Sequence, residues 1–271
     1  MSSSEDQSAL LQAAQRGDTR AFTLLVKPLM PALQSFTYRM VGQPDDAEDL
    51  RQEALLRAFV QLASFRGESS FKTWLFSITT HVCLDHIRSK RRWRENAKVH
   101  AQEACRSSLP LRGELEATLA APGFTFDARE HIAFCFTCVA RSLPPEQEAA
   151  LVLREIFEFS NREAAAMVGV SESVLRHHLE ASRKQMEATY EGLCALVSKQ
   201  GVCYQCKELR DLAPEAKRGP AVPDIGAATD AKEERFRHRL TIVRDAPLAA
   251  GKARVLHDLI FRRIAAAEQA R

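Results

Sequence analysis

Between residues 45 and 87 the apolar side chains recur three or four positions apart in two successive stretches, and that period builds helices. Ala47, Leu50, Ala54, Leu55, Ala58, Phe59 and Leu62 mark one face of a first helix, and Phe71, Trp74, Leu75, Ile78, Val82 and Ile87 mark one face of a second. Asp45 or Asp46 offers an N-cap for the first, with further carboxylates in the turn where the helix dipole favours them. Ser69 or Ser70 caps the second, across the loop Phe65-Arg66-Gly67-Glu68. Upstream, residues 8–41 carry the same spacing: Gly17-Asp18 breaks it, Pro28 and Pro31 kink or restart it, and Gly42-Gln43-Pro44 ends it. Glycine is scarce, 11 residues in 271, and Asn-Gly turn pairs are absent. The expectation is an all-α protein.

A second helical set begins near residue 128. Residues 128–141 form one helix, and Leu143-Pro144-Pro145-Glu146 starts another with proline in its first turn. Asn161 can cap a short helix holding Ala164, Ala165 and Met167. Val168-Gly169-Val170 makes a tight turn, and Ser171 caps a longer helix with Val174, Leu175, Leu179, Ser182 and Met186 inward. Two helices across a glycine turn, the second amphipathic and basic outside, form a helix-turn-helix pattern. Residues 95–127, with Pro110, Gly113, Pro122 and Gly123, read as a linker that holds some helix. Residues 193–271 form a tail: 213–230 have the composition of a flexible connector, and 254–267 make a helix with Val255, Leu259, Ile260 and Ile264 inward.

Net charge is only +3, but it is polarised. Asp45, Asp46, Glu48, Asp49 and Glu53 form an acidic cluster, and Arg88, Lys90, Arg91, Arg92 and Arg94 a basic one, suiting a basic protein surface and a polyanion respectively. The start, MSSSEDQSALL, lacks the basic and apolar regions of a signal peptide, and no apolar run approaches a membrane span, so a cytoplasmic protein without membrane insertion is expected. An enzyme is not expected. The carboxylates span too much of one helix's circumference to converge on an ion, and there is no nucleophile–base pairing, phosphate-cradling glycine loop or HExxH. A conventional helix-turn-helix regulator with a metal- or redox-sensing cysteine module is the alternative. Against it stands a first domain that ends in a basic cluster, which a sensor does not require.

Two segments carry a resemblance. DDAEDLRQEALLRAFVQLASFRGESSFKTWLFSITTHVCLDHIRSKRRW, residues 45–93, resembles region 2 of the extracytoplasmic-function (ECF) class of RNA polymerase sigma factors. LPPEQEAALVLREIFEFSNREAAAMVGVSESVLRHHLEASRKQM, residues 143–186, resembles region 4. The resemblance implies region 2 over 1–94, a linker over 95–127, region 4 over 128–192 and an extension over 193–271. Its partners would be the largest and second-largest subunits of core RNA polymerase and promoter DNA, with an anti-sigma factor as an optional further partner. Core docking would use Asp46, Asp49, Gln52, Glu53 and Arg57. The minus-ten element would meet the loop residues Arg66 and Ser70, the outward face Lys72, Thr73, Ser77, Thr80 and His81, and the basic end Arg88, Arg91 and Arg92. The minus-thirty-five element would meet Ser171, Ser173, Arg176, His177, Arg183 and Lys184. The family usually has Asn at the His81 position and Ala-Arg where Thr79-Thr80 stand, so base readout at the minus-ten element is where this chain departs.

Cysteine adds a feature outside that pattern. Cys135-Phe-Thr-Cys138 and Cys203-Tyr-Gln-Cys206 are two CxxC pairs, with Cys194 as a spare. Four thiolates can hold a structural zinc, a thiol pair can switch redox state, and buried cysteine can be a small hydrophobe; these readings stay open. No cofactor is otherwise required.

Overall fold

A computed structural model describes residues 2–89, 109–197, 203, 205–223, 225, 231–246 and 254–269. Helices α1 (Ser2–Gln15), α2 (Thr19–Val26), α3 (Met30–Val41), α4 (Pro44–Gln61) and α5 (Phe71–Ser89) form an amino-terminal bundle. A single helix, α6 (Leu109–Ala120), follows. The helices α7 (Ala128–Ala140), α8 (Pro145–Leu151), α9 (Asn161–Val168) and α10 (Glu172–Leu193) form the helix-turn-helix unit. The tail supplies α11 (Gln205–Leu212), α12 (Lys232–Asp245) and α13 (Arg254–Gln269). Among the described residues there are two isolated bridges and no strand.

The helix boundaries have local causes. Asp18 caps α2 by accepting from the backbone N–H groups of Arg20 and Ala21. Pro44 takes the first position of α4, where its missing N–H is no loss. The cap is therefore the extended Gln43, and Asp45 and Asp46 lie in the first turn instead of capping it. The α9 cap is Ser160 rather than Asn161: its hydroxyl accepts from the Glu163 N–H, and the Glu163 carboxylate accepts from the Ser160 N–H. Ser171 caps α10 as its position suggests, and Ser70 Oγ accepts from the Thr73 N–H at the start of α5. After α8 the helix widens into a π-helical turn over Val152–Ile156.

One continuous core runs through bundle, helix-turn-helix unit and tail. Phe36 and Phe76 of the bundle pack edge-on or tilted against Phe157, at 5.6 and 5.4 Å between centroids. Within the helix-turn-helix unit α10 packs on α8 and α9. The tail is no loose appendage. Helix α12 lies against α7 and α10, α11 against α7, and α13 against α6. Gly219 N–H donates to Phe126 O at 2.8 Å, and Phe126 N–H to Lys217 O at 2.9 Å. Two inward assignments fail: Val174 and Val255 are exposed, because each sits in the first turn of its helix, ahead of the packed face. Ile264 and the basic residues Lys90, Arg91, Arg92 and Arg94 lie outside the residues whose side chains are described.

Candidate nucleic-acid and polymerase interfaces

Helix α4 turns Ala47, Leu50, Ala54 and Ala58 into the bundle. Its other side presents Asp49, Gln52, Glu53 and Arg57 to solvent, with Asp46 half-buried beside His86 at 3.4 Å. Arg57 and Glu53 pair along the helix, as do Arg51 and Glu48. The same side carries two apolar residues that sequence reading missed: Leu56 and Val60 are 69% and 79% exposed. They stand one turn apart among charged neighbours, and the signal was two large apolar residues at i, i+4 off the core stripe. Such a face can dock on a protein surface with an apolar centre and a polar rim.

Helix α10 projects Ser171, Ser173, Arg176, His177, Arg183 and Lys184 outward, while Leu175, Leu179, Ser182 and Met186 are buried. Gly169, at φ +79°, makes the turn that sets α9 against α10. Arg183 is drawn to the Glu155 carboxylate, its Nε at 2.9 Å. Arg176 and His177, on the first two turns, stand free of any protein ion pair among the described residues. A helix amino terminus with an extended arginine can enter a major groove and donate to a guanine edge.

The α5 face is a different case. Lys72 and His81 are exposed and Ser77 is half-buried, but Thr73 and Thr80 are buried. Thr80 donates to the Phe76 carbonyl one turn back, at 2.7 Å, inside the core. Its placement on the outward face is therefore corrected. Thr73 Oγ1 donates to Glu163 Oε1 of α9 at 2.8 Å. The Lys72 ammonium lies 4.8 Å from the centre of the Phe159 ring. Arg88 Nη2 meets Glu146 Oε1 at 2.8 Å. His81 stands next to the Gly169 turn. The reason is tertiary: α5 packs against α9 and α8, so Thr73 in its polar stripe faces the helix-turn-helix unit in place of solvent. Arg66 and Ser70, in the loop ahead of α5, remain exposed, Arg66 beside Glu68 at 3.1 Å.

Electrostatics bind these contacts together. Donors from Ser160 first, then Thr73, hold the Glu163 carboxyl below the ordinary carboxylate range. Arg88 is held above its ordinary value chiefly by its hydrogen bond to Glu146.

The cysteines gather around α7 and the tail. Cys135, Cys138, Cys194, Cys203 and Cys206 are all buried, and none is in a disulfide. Among the described residues, no group of three or more His, Cys, Asp or Glu is arranged to hold a metal ion. Arg239 of α12, 1% exposed, reaches into this region. Its Nη2 donates to Cys194 Sγ at 3.1 Å, and its guanidinium lies 3.8 Å from the centre of the Tyr190 ring. Sequence reading did not single out Arg239, one arginine in a charged stretch.

No described helix is long and apolar enough to cross a membrane.

Comparison with known proteins places family models on both units. Sigma-70 region 2 matches residues 25–93, and Sigma-70, region 4 matches residues 133–186. The ECF RNA polymerase sigma factor SigG of Mycobacterium tuberculosis is 33% identical over 182 residues, covering 64% of this chain and 48% of SigG. This chain thus spans about half the length of that relative. The RNA polymerase sigma-H factor of Pseudomonas aeruginosa is 26% identical over 206 residues, covering 71% of this chain and 98% of its own. The ECF RNA polymerase sigma-E factor of Escherichia coli is 29% identical over 178 residues, covering 66% and 91%. The region 2 match ends at residue 93 and the region 4 match begins at residue 133.

Proposed function

We propose, on the premise that this chain belongs to the ECF class of RNA polymerase sigma factors, that it binds core RNA polymerase and directs promoter recognition, promoter melting and transcription initiation. The observation that carries this reading is the pair of outward faces on α4 and α10. One is acidic with an apolar centre at Leu56 and Val60, and the other exposes Ser173, Arg176 and His177 at the start of a recognition helix. In this reading α4 docks on the largest subunit. Helix α10 reads the minus-thirty-five element, and the α5 stripe with its preceding loop takes the unpaired strand of the minus-ten element. Bases stack on flat or cationic groups and phosphates seek basic ones, which Arg66, Lys72 and Arg88 supply.

The closed packing of α5 on α9 implies an order of events. Thr73 becomes available to DNA only after the two units part, and the exposed Lys72 and His81 stand beside Phe159 and the Gly169 turn until then, so core docking precedes full base contact. The chain alone should then bind duplex DNA weakly. Run-off transcription with core enzyme and a library of promoter fragments tests the proposal. Promoter-dependent initiation supports it. Tight, specific duplex binding without polymerase, and no product with it, would overturn it in favour of a conventional regulator.

A further inference from the structure

The cysteines lie outside both matched regions or off their DNA and polymerase faces, and a specific geometry joins two of them. Cys194 closes α10, and Cys203 is paired with it across a two-residue parallel bridge. Cys203 N–H donates to Leu193 O at 2.7 Å, and Ala195 N–H donates to Cys203 O at 3.1 Å. Residues paired in this way hold their Cα atoms about 4.8 Å apart with side chains on one side, within the span a disulfide bridges. The two thiols therefore need little backbone movement to join.

Arg239 gives one of them a distinct environment. A buried guanidinium is costly unless something beside it can carry or accept charge. Its described neighbours are the Cys194 sulfur, the Tyr190 ring and the carboxyl-terminal end of α10, whose carbonyls favour a cation. Burial works against the Arg239 cation, yet Cys194 first, then Tyr190, Cys135 and Cys206 outweigh it, so the group is held above its ordinary value. A small cleft lined by Tyr190, Glu191, Val197, Arg235, Phe236 and Arg239, among others, opens beside Arg239.

We infer that Cys194 and Cys203 are a dithiol modification site for hydroperoxides, with Arg239 positioning Cys194. In the first step the Cys194 sulfur attacks the terminal peroxide oxygen. An S–O bond forms, the O–O bond breaks, and the thiol proton ends on the departing alcohol (water, for hydrogen peroxide). In the second step the Cys203 sulfur attacks the sulfenic sulfur of Cys194. An S–S bond forms, the S–O bond breaks, and the Cys203 proton leaves with the hydroxyl as water. The thiol pair loses two electrons and the peroxide gains two.

The product has a mechanical consequence. Joining Cys194 to Cys203 re-aims the Cys194 sulfur, so the Arg239 Nη2 donor loses the acceptor it meets there. Arg239 lies on α12, which packs on α7 and α10 and also reaches the bundle: the Val243 carbonyl accepts from the buried Arg39 Nη2 at 2.8 Å. Arg244 of the same helix meets Glu155 and Glu158. Oxidation at Cys194 thus loosens the strap that ties tail, helix-turn-helix unit and bundle together.

The test needs neither polymerase nor promoter DNA, so its result is independent of the function proposed above. The full-length chain is reduced, desalted, exposed to hydrogen peroxide, alkylated and mapped by mass spectrometry. A Cys194–Cys203 cross-linked peptide is expected. In Cys203→Ser, a dimedone adduct on Cys194 should appear instead. Arg239→Gln should slow cross-linking by about tenfold, with Arg239→Lys partly restoring it. Amide exchange over 232–245 should rise on oxidation of the wild-type chain and stay unchanged in Cys194→Ser. Dominant Cys135–Cys138 or Cys203–Cys206 pairing, or no disulfide at all, would overturn the assignment. So would an oxidation rate indifferent to Arg239.

Discussion

The ring of Phe261 occupies the space into which a side chain at Gly42 would grow: its Cζ lies where a Cβ would be, at 2.0 Å. Gly42 ends α3 at φ +74°, and Phe261 belongs to the tail helix α13, 219 positions later by subtraction of the two numbers. Arg141 closes the node, stacking 4.9 Å from the centre of the Phe261 ring and donating to the Val41 carbonyl. Bundle, helix-turn-helix unit and tail meet at that point.

Gly42→Ala should therefore destabilise the protein by roughly 1–3 kcal/mol, from left-handed strain plus overpacking. The lost stability should concentrate in α13, read as faster amide exchange over 254–263. Gly42→Ala should cost less in a Phe261→Ala background than in the wild type, because the clash is gone there and only the strain remains. Strict additivity of the two substitutions would contradict the contact.

Thr73→Val should weaken the hold of α5 on α9 by about 1.5–3 kcal/mol, the range for a hydrogen bond to a charged acceptor. The interaction depends on ionised Glu163, whose folded-state pKa is depressed by Ser160 and Thr73. A depressed carboxyl contributes stability above its unfolded value, about 4.3, and that contribution disappears as pH falls through the lower folded value. Wild-type stability should fall more steeply below about pH 4 than that of Glu163→Gln. Parallel acid-denaturation curves for the two proteins would show that the carboxylate plays no such part.

Ser160→Ala removes the reciprocal cap of α9 and should cost about 1 kcal/mol. The same change frees Glu163 from its first donor, so it should also raise the pH at which α5 and α9 part. Chemical denaturation at two pH values reads both effects.

Leu56→Ser with Val60→Ser should leave thermal stability within about 0.5 kcal/mol, because both side chains already face solvent. Affinity for core polymerase should fall by tenfold or more, on the order of 1–2 kcal/mol for anchors at an interface centre. Core binding by fluorescence anisotropy decides it; unchanged affinity would remove α4's apolar pair from the docking face.

At the other end, Arg176→Ala should cost about 1–3 kcal/mol and relax base preference at one position of the upstream promoter element. Lys184→Ala should instead weaken binding uniformly and lower the salt slope by about one. Promoter titrations of the holoenzyme at several salt concentrations separate the two.

Local physics made the helices and their order legible. A period of 3.6 in the apolar residues, prolines at helix starts, Gly169 at a turn and Ser171 at a cap are each decided by neighbours in the chain. The outward face of α10 was legible for the same reason: a capped, amphipathic helix fixes its own outside. Asn161 missed its cap by one position and Asp45 or Asp46 by two or three, since nearby residues compete for one cap and only backbone conformation chooses between them.

Only the tertiary structure decided which faces stay open. Nothing in the sequence near Thr73 or Thr80 states that α9 lies over α5, because that contact joins residues 90 positions apart. Burial of a helix's polar side is set by what packs on it, and packing is a property of the whole chain. The tail shows the same division. Helix α12 has a weak apolar pattern of its own and is held against α7 and α10, where Arg239 finds the Cys194 sulfur. The sequence determined two helical units joined in a fixed order; long-range packing determined that the chain closes on its own α5 face, with the tail as the strap.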